Sequence, residues 1–153
     1  MDYGGMVHAL EEIHRLLKPT GVLIDIHPVA VSSPIEIHRG GKFHLVGQLS
    51  IRQWCVDFQQ ADSALAEIAQ RGLLTAEREW VFDSLTHYPS VAEMRTSLKE
   101  SIAKFARDAQ SAGEGVSHVE ALAARTDELM QAAVSGAELI VREPTHISRW
   151  RPT

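Results

Sequence analysis

The 153-residue sequence contains a single cysteine, Cys55, and no apolar run near the ~18 residues of a membrane-spanning helix. One cysteine excludes an intrachain disulfide and suits a reducing compartment. The first residues show no basic segment followed by an apolar core, so we expect no signal peptide, no membrane association and a cytoplasmic location. The formal net charge of −5 argues against nucleic acid as a partner, because phosphate recognition needs a basic surface.

The composition is that of an ordinary folded protein, with 44% hydrophobic and 23% charged residues, so disorder is not expected. No internal repeat occurs, and no linker is long enough to separate domains. A single domain spanning residues 1–153 is therefore predicted, with enough residues to bury a core.

The clearest pattern is residues 9–28, which predict an amphipathic helix, a turn and an apolar strand. Apolar residues recur at the spacing of one helical face: Met6, Leu10, Ile13 and Leu17. Pro19 and Gly21 end this helix, and the apolar run at residues 22–26, interrupted by Asp25, predicts a strand. A strand that is apolar on both faces belongs inside a sheet with helices on both sides, so the segment predicts an α/β fold.

The same segment resembles the helix and fifth strand of class I S-adenosylmethionine-dependent methyltransferases. The residues that match the family pattern are Leu10, Glu12, Ile13, Arg15, Leu17, Lys18, Pro19 and Gly21. Thr20 departs from the pattern, because the family more often has a second glycine there. The resemblance implies that this chain corresponds to the C-terminal portion of such a methyltransferase, with the N-terminal cofactor-binding half absent.

A hairpin and three further helices are predicted after this segment. Gly40 and Gly41 lie between alternating apolar and polar residues, which predicts a hairpin over residues 35–51. Three residue pairs with capping-box spacing predict helix starts: Asp57 with Gln60, Ser90 with Glu93, and Ser117 with Glu120. Residues 111–115 predict a flexible break before the last helix, whose buried side includes Val119 and Ala133.

Two further strands are predicted at residues 73–88 and 139–150. Pro144 has no amide hydrogen to donate, so it must bend the second of these strands or confine it to a sheet edge. By the resemblance, residues 80–88 correspond to the sixth strand of a methyltransferase and residues 139–150 to the seventh. In the family the seventh strand lies antiparallel to the sixth and is inserted beside the fifth.

The expected fold class is thus α/β. It is a partial Rossmann-like methyltransferase sheet of the fifth, sixth and seventh strands plus an extra hairpin, flanked by about four helices. The resemblance implies S-adenosylmethionine as a cofactor, which the family holds on a glycine-rich turn after its first strand. This sequence has no G-x-G-x-G motif, and Gly4 with Gly5 is no substitute because no strand precedes them. We therefore expect no cofactor to bind this chain alone and assign no catalytic residue.

Polar residues Asp25 and His27 lie at the end of the predicted fifth strand, before Pro28. Ligands of open α/β sheets bind outside the carboxyl ends of the strands. By the resemblance this is the substrate side, so Asp25 and His27 are candidate substrate-binding residues for a small molecule. The alternative is that both side chains only hydrogen-bond the backbone of the following loop.

Eight histidines raise the question of a metal site. His38 and His44 flank the predicted hairpin turn, where they could face each other, and with His27 they offer imidazoles of the kind that zinc binds. No closely spaced motif such as H-x-x-x-H accompanies them. We interpret them as structural or solvated and expect no metal. Cys55 has no neighbouring histidine in the sequence and is interpreted as an unreactive thiol.

Two functions are consistent with these patterns. The first is a methyltransferase-like protein that lacks the S-adenosylmethionine motif and is inactive alone, either truncated or one half of a split methyltransferase acting with a partner chain. The second is a non-catalytic module that self-associates, because the strand at residues 22–26 would present an apolar edge. A homodimer would then pair these edges or exchange the hairpin. A further alternative is that the hairpin folds back over the edge.

Overall fold

The computed structural model describes residues 3–106, 108–131 and 136–153, and its fold is α/β, as predicted. The helices are α1 (Tyr3–Leu16), α2 (Arg52–Gln70), α3 (Val91–Phe105) and α4 (Ala109–Gln131). The strands are β1 (Leu23–Pro28), β2 (Ser33–Arg39), β3 (Lys42–Leu49), β4 (Leu74–Tyr88) and β5 (Glu138–Pro152). None of these helices has both the length and the apolar character needed to cross a bilayer.

The chain divides into two compact units, each with its own apolar core. Unit 1 consists of Met1–Ala30, Cys55–Asp83 and Pro144–Thr153, and it contains α1, β1 and most of α2. Unit 2 consists of Val31–Trp54 and Ser84–Glu143, and it contains β2, β3, α3 and α4. Strands β4 and β5 each contribute one part to unit 1 and one part to unit 2.

In unit 1, β1 pairs antiparallel with β5. The register places three pairs of residues opposite each other: Leu23 and Trp150, Asp25 and Ser148, and His27 and His146. Cross-strand partners share a face of the sheet, whereas successive residues of one strand alternate between faces. Leu23, Asp25 and His27 therefore point to one face, and Ile24 and Ile26 point to the other.

Strand β4 lies along the other edge of β5 in unit 1. The Thr153 amide donates to the Leu73 carbonyl oxygen at 3.2 Å, and Arg151 Nε forms an ion pair with Glu77 Oε1 at 2.5 Å. These contacts align the start of β4 with the end of β5, the part of β5 that also pairs with β1. Because a strand has only two edges, β5 runs between β1 and β4 and antiparallel to both.

Helices α1 and α2 cover one face of this sheet. Their core joins apolar side chains from both helices and from the strands: Val7, Leu10, Leu23, Ala64, Leu65, Ile68, Leu74 and Trp150. Ile24 and Ile26 on the opposite face keep 48% and 58% of their surface exposed. Within the described residues, unit 1 has helices on one face only, although its apolar strand pattern predicts a cover on both.

In unit 2, β2 and β3 form the predicted hairpin, and β2 pairs antiparallel with β5. Gly40 and Gly41 have φ values of 56° and 76°, which glycine adopts without steric cost. Helix α4 packs against β3 and against α3. Gly115 permits the second contact, because a Cβ at this position would lie 3.2 Å from Ile102 Cδ1.

Of the three predicted helix starts, one is confirmed and two are wrong. Ser90 is the N-cap of α3, and its Oγ accepts a hydrogen bond from the Glu93 amide at 3.2 Å. Asp57 instead lies inside α2, which begins at Arg52. Serine and aspartate also occur on exposed helix faces, so capping-box spacing alone does not fix where a helix begins.

The predicted break at residues 111–115 is also wrong, because α4 runs through it. Ser117 lies within this helix, and its Oγ donates to the Gly113 carbonyl oxygen at 2.9 Å. Glycine lowers helix propensity by about 1 kcal/mol, and the packing of α4 outweighs that cost. The predicted burial of Ala133 lies outside the described residues.

Pro144 was predicted either to bend β5 or to confine it to a sheet edge. The edge position is wrong, because β5 pairs with β1, β2 and β4. Pro144 falls between the residues that pair with β2, 138–141, and those that pair with β1, 145–150. Its missing amide hydrogen therefore removes no bond from either register. Its carbonyl oxygen accepts a hydrogen bond from the Val29 amide at 2.7 Å.

Candidate functional site

Five polar side chains of unit 1 meet on the helix-covered face of its sheet. This group, called the His27 cluster below, consists of Asp25, His27, Asp62, His146 and Ser148. The first two come from β1, Asp62 comes from α2, and the last two come from β5. The β1–β5 register brings the strand residues together, because it sets His27 opposite His146 and Asp25 opposite Ser148.

His27 is the centre of this cluster and is 9% exposed. Its Nδ1 lies 2.7 Å from Asp25 Oδ2, and its Nε2 lies 2.9 Å from Asp62 Oδ1. Both ring nitrogens therefore face a carboxylate. A cationic imidazolium can donate to both carboxylates, whereas a neutral imidazole can donate to only one. The Asp62 side chain is 53% exposed and opens the cluster to solvent, while that of Asp25 is 22% exposed.

The β5 side chains connect the cluster to the core of unit 1. Ser148 Oγ donates to Asp25 Oδ2 at 3.4 Å, and Trp150 Nε1 donates to Ser148 Oγ at 2.7 Å. Trp150 belongs to the apolar core, so its packing holds Ser148 in place. His146 lies edge-on to His27, with ring centroids 5.4 Å apart and planes at 66°. His146 Nδ1 is buried and has no hydrogen-bond partner among the described residues.

The two carboxylates raise the pKa of His27 above its ordinary value. The hydrogen bond to Asp25 is the largest cause. Burial opposes it, because a charged ring loses hydration, and the hydrogen bond to Asp62 raises the pKa further. The cluster thus favours a positive charge at the position of His27.

This arrangement can hold a proton or a metal cation. Asp25, His27 and His146 each offer one ligand atom, and these atoms lie within 4.8 Å of one another. Two imidazoles and one carboxylate form a donor set that divalent transition metals accept.

Both residues singled out in the sequence, Asp25 and His27, belong to this cluster, and they contact each other directly. Their role in binding a substrate stays a prediction. The sequence reasoning missed Asp62, His146 and Ser148. The histidine at position 146 lies in a correctly predicted strand, but its place opposite His27 follows from the register, which no turn or motif in the sequence fixes.

The expectation that His38 and His44 could face each other across the hairpin is wrong. The register places His38 opposite Phe43, and His44 opposite Ile37. His38 and His44 therefore point to opposite faces of the hairpin. His38 stacks on Phe43, with ring centroids 4.7 Å apart, and its Nδ1 lies 3.4 Å from Glu138 Oε2.

No protein-family model, curated protein or solved structure matches this chain.

We predict that His27 stabilises the fold most at low pH. Because its pKa is raised on folding, this stabilisation is fully present below the unfolded value of about 6.5 and is lost as pH rises through the folded pKa. Replacing His27 by Gln should lower the free energy of unfolding by about 1.5 to 3 kcal/mol near pH 6, the range for charge-assisted hydrogen bonds. The deficit should shrink towards pH 9, as measured by urea denaturation in buffer containing EDTA.

The matched control is His44→Gln, which removes an exposed histidine of β3. Its unfolding free energy should follow that of the native chain at every pH. A deficit for His27→Gln that stays constant or grows with pH would contradict the charged state assigned to His27.

Proposed function

We propose that this chain supplies the C-terminal part of a class I S-adenosylmethionine-dependent methyltransferase fold, and that methyl transfer requires a cofactor-binding half not contained in these residues. The observation that carries the proposal is the position of β5 between β1 and β4, antiparallel to both. The family places its seventh strand in this way beside the fifth and sixth. In this assignment β1 is the fifth strand, β4 the sixth and β5 the seventh.

The order of helices in unit 1 supports the same assignment. α1 precedes β1 with the turn that resembles the family pattern, and α2 lies between β1 and β4 in the chain. Both helices pack on one face of the sheet. A Rossmann-like sheet has helices on both faces, so the open face of β1 is where the proposed N-terminal half would pack.

The exposed apolar residues of unit 1 also support the proposal that a cofactor-binding half packs against it. Ile24 and Ile26 are about half exposed, and Trp80 of β4 keeps 73% of its surface exposed. Full burial of one such side chain stabilises a protein by about 1.5 to 3 kcal/mol, so covering these residues favours association. Within the described residues β1 pairs with β5 alone, which leaves one edge for a further strand.

In this proposal the chain contacts the substrate, and the other half binds the cofactor. The sequence has no G-x-G-x-G motif that would let a backbone approach the cofactor. Asp25 and His27 remain the candidate substrate-binding residues, with Asp62 as the solvent-facing member of their cluster. Methyl transfer needs donor and acceptor held in line, so half of a site should give almost no catalysis.

We predict that the isolated 153-residue chain does not bind S-adenosylmethionine. Isothermal titration calorimetry should detect no binding with a dissociation constant below about 1 mM, because the cofactor cradle is missing. A methyltransferase that carries the glycine-rich motif, titrated in the same buffer, is the positive control. Micromolar binding by this chain would contradict the proposal.

Self-association is the second candidate function, and the open edge of β1 favours it. Exposed apolar edge strands pair with other chains, and a two-fold axis lets the same edge meet itself. In that case a second copy of this chain, and not a cofactor-binding half, would pair with the free edge of β1. Such a homodimer would be a non-catalytic module.

If the β1 surface mediates this dimer, Ile26→Lys should weaken it by about tenfold or more, because a buried lysine loses its hydration. The matched control is Leu45→Lys on β3, another strand with an exposed apolar residue, at 55% exposure. Sedimentation velocity should show a dimer for the native chain and for Leu45→Lys. A native chain that stays monomeric, or a dimer that only Leu45→Lys disrupts, would contradict this candidate.

A further inference from the structure

We propose that Asp25, His27 and His146 form a binding site for a divalent transition-metal cation, with zinc as the best fit, and that Asp62 positions His27 for it. The site lies within unit 1 and uses no residue of unit 2. The inference goes beyond the proposed methyltransferase-like fold and does not depend on it.

The three ligand atoms already lie close to one another. They lie within 4.8 Å of one another, and their spacing follows from backbone pairing, because His27 and His146 are cross-strand partners. Zinc bonds to nitrogen and oxygen are about 2.0 to 2.1 Å long, so tetrahedral ligand atoms are roughly 3.3 Å apart. The widest separation must therefore close by up to about 1.5 Å, which rotation of the side chains can supply.

One ring nitrogen of His146 also points to a bound cation. Buried polar atoms in proteins nearly always have a hydrogen-bond partner, and each exception needs an explanation. His146 Nδ1 is buried and has none among the described residues. A cation bound between His27 and His146 would give this nitrogen a partner, whereas the contacts of His27 with Asp25 and Asp62 leave it without one.

The contact between His27 and Asp62 is one that metal-binding histidines commonly make. Metal-binding histidines almost always donate their other ring N–H to a carboxylate or carbonyl, which fixes the tautomer and the ring orientation. With Nδ1 on the metal, His27 would donate Nε2–H to Asp62 Oδ1, which already lies 2.9 Å away. Asp62 would be a positioning residue and would not bind the metal.

The donor set also indicates the kind of cation. Two neutral imidazoles and one carboxylate suit zinc, which with three protein ligands keeps a fourth position for water or substrate. Calcium and magnesium prefer sites made of oxygen atoms alone, so neither fits. On binding, the metal takes the place of the proton on His27 Nδ1, which is released to solvent, while Nε2 keeps its proton and donates it to Asp62.

The test is titration of the untagged native chain with zinc chloride at pH 7.5, followed by calorimetry. We expect one zinc ion per chain, at least about tenfold weaker binding for His146→Ala, and a loss of about tenfold for Asp62→Asn. Asp62→Glu keeps the negatively charged carboxylate that Asn lacks and should recover much of the affinity. The control is the double variant His38→Ala and His44→Ala, which removes the two hairpin histidines and should bind like the native chain.

Absence of stoichiometric zinc binding by the native chain would overturn the proposal. So would unchanged affinity in His146→Ala, or affinity lost only in the hairpin variant. Circular dichroism establishes that each variant is folded, and if His146→Ala is not, His146→Gln takes its place. NMR of the imidazole nitrogens adds a readout for Asp62. Zinc should shift His27 Nδ1 and a His146 nitrogen, while His27 Nε2 stays protonated in the native chain.

Discussion

The antiparallel pairing of β1 with β5 is the constraint on which the rest of unit 1 depends. It sets His27 opposite His146 and Asp25 opposite Ser148, so two short polar segments far apart in the chain form one cluster. It also fixes which face each side chain of β1 takes. A shift of the register by one residue would move Asp25 and His27 to the open face and would bring Ile24 and Ile26 against α1 and α2.

The same pairing explains why one face of the unit 1 sheet is well packed and the other is exposed. Its helix-covered face buries Trp150, His27 and Ser148, and the hydrogen bonds of Ser148 tie the His27 cluster to the core. Its other face leaves Ile24 and Ile26 exposed, and one edge of β1 has no strand beside it within the described residues. The proposed methyltransferase half and the homodimer are two ways of covering this surface, whereas the metal site concerns the covered face.

Sequence patterns predicted the local elements well, whereas the pairing of distant strands could not be predicted from short segments. Helix α1, the hairpin at Gly40 and Gly41, and the cap at Ser90 follow from spacing, glycine geometry and a local hydrogen bond, so they can be predicted from short segments. The starts of α2 and α4 could not be predicted in the same way. Packing in each unit extends these helices past residues that favour an end in isolation.

Only the two β1 residues of the candidate site could be predicted from the sequence. Asp25 and His27 follow an apolar run, which is a local signal, and both belong to the cluster. Asp62, His146 and Ser148 have no such signal, because their roles come from the register of β5 and from the face that α2 presents to the sheet. Long-range pairing of this kind depends on the hydrophobic pattern of both strands together, so it cannot be predicted from a short segment of either one.

Amide hydrogen exchange in β1, measured by NMR in dilute solution where the chain is monomeric, tests most directly whether this strand is paired on one edge and open on the other. In an antiparallel pair only alternate amides of a strand point to the partner. The account predicts strong protection of every second amide over residues 23–27, from the bonds to β5, and fast exchange of the amides between them. Protection of all these amides in the monomer would show that the edge is already covered, and protection of none would contradict the β1–β5 pairing itself.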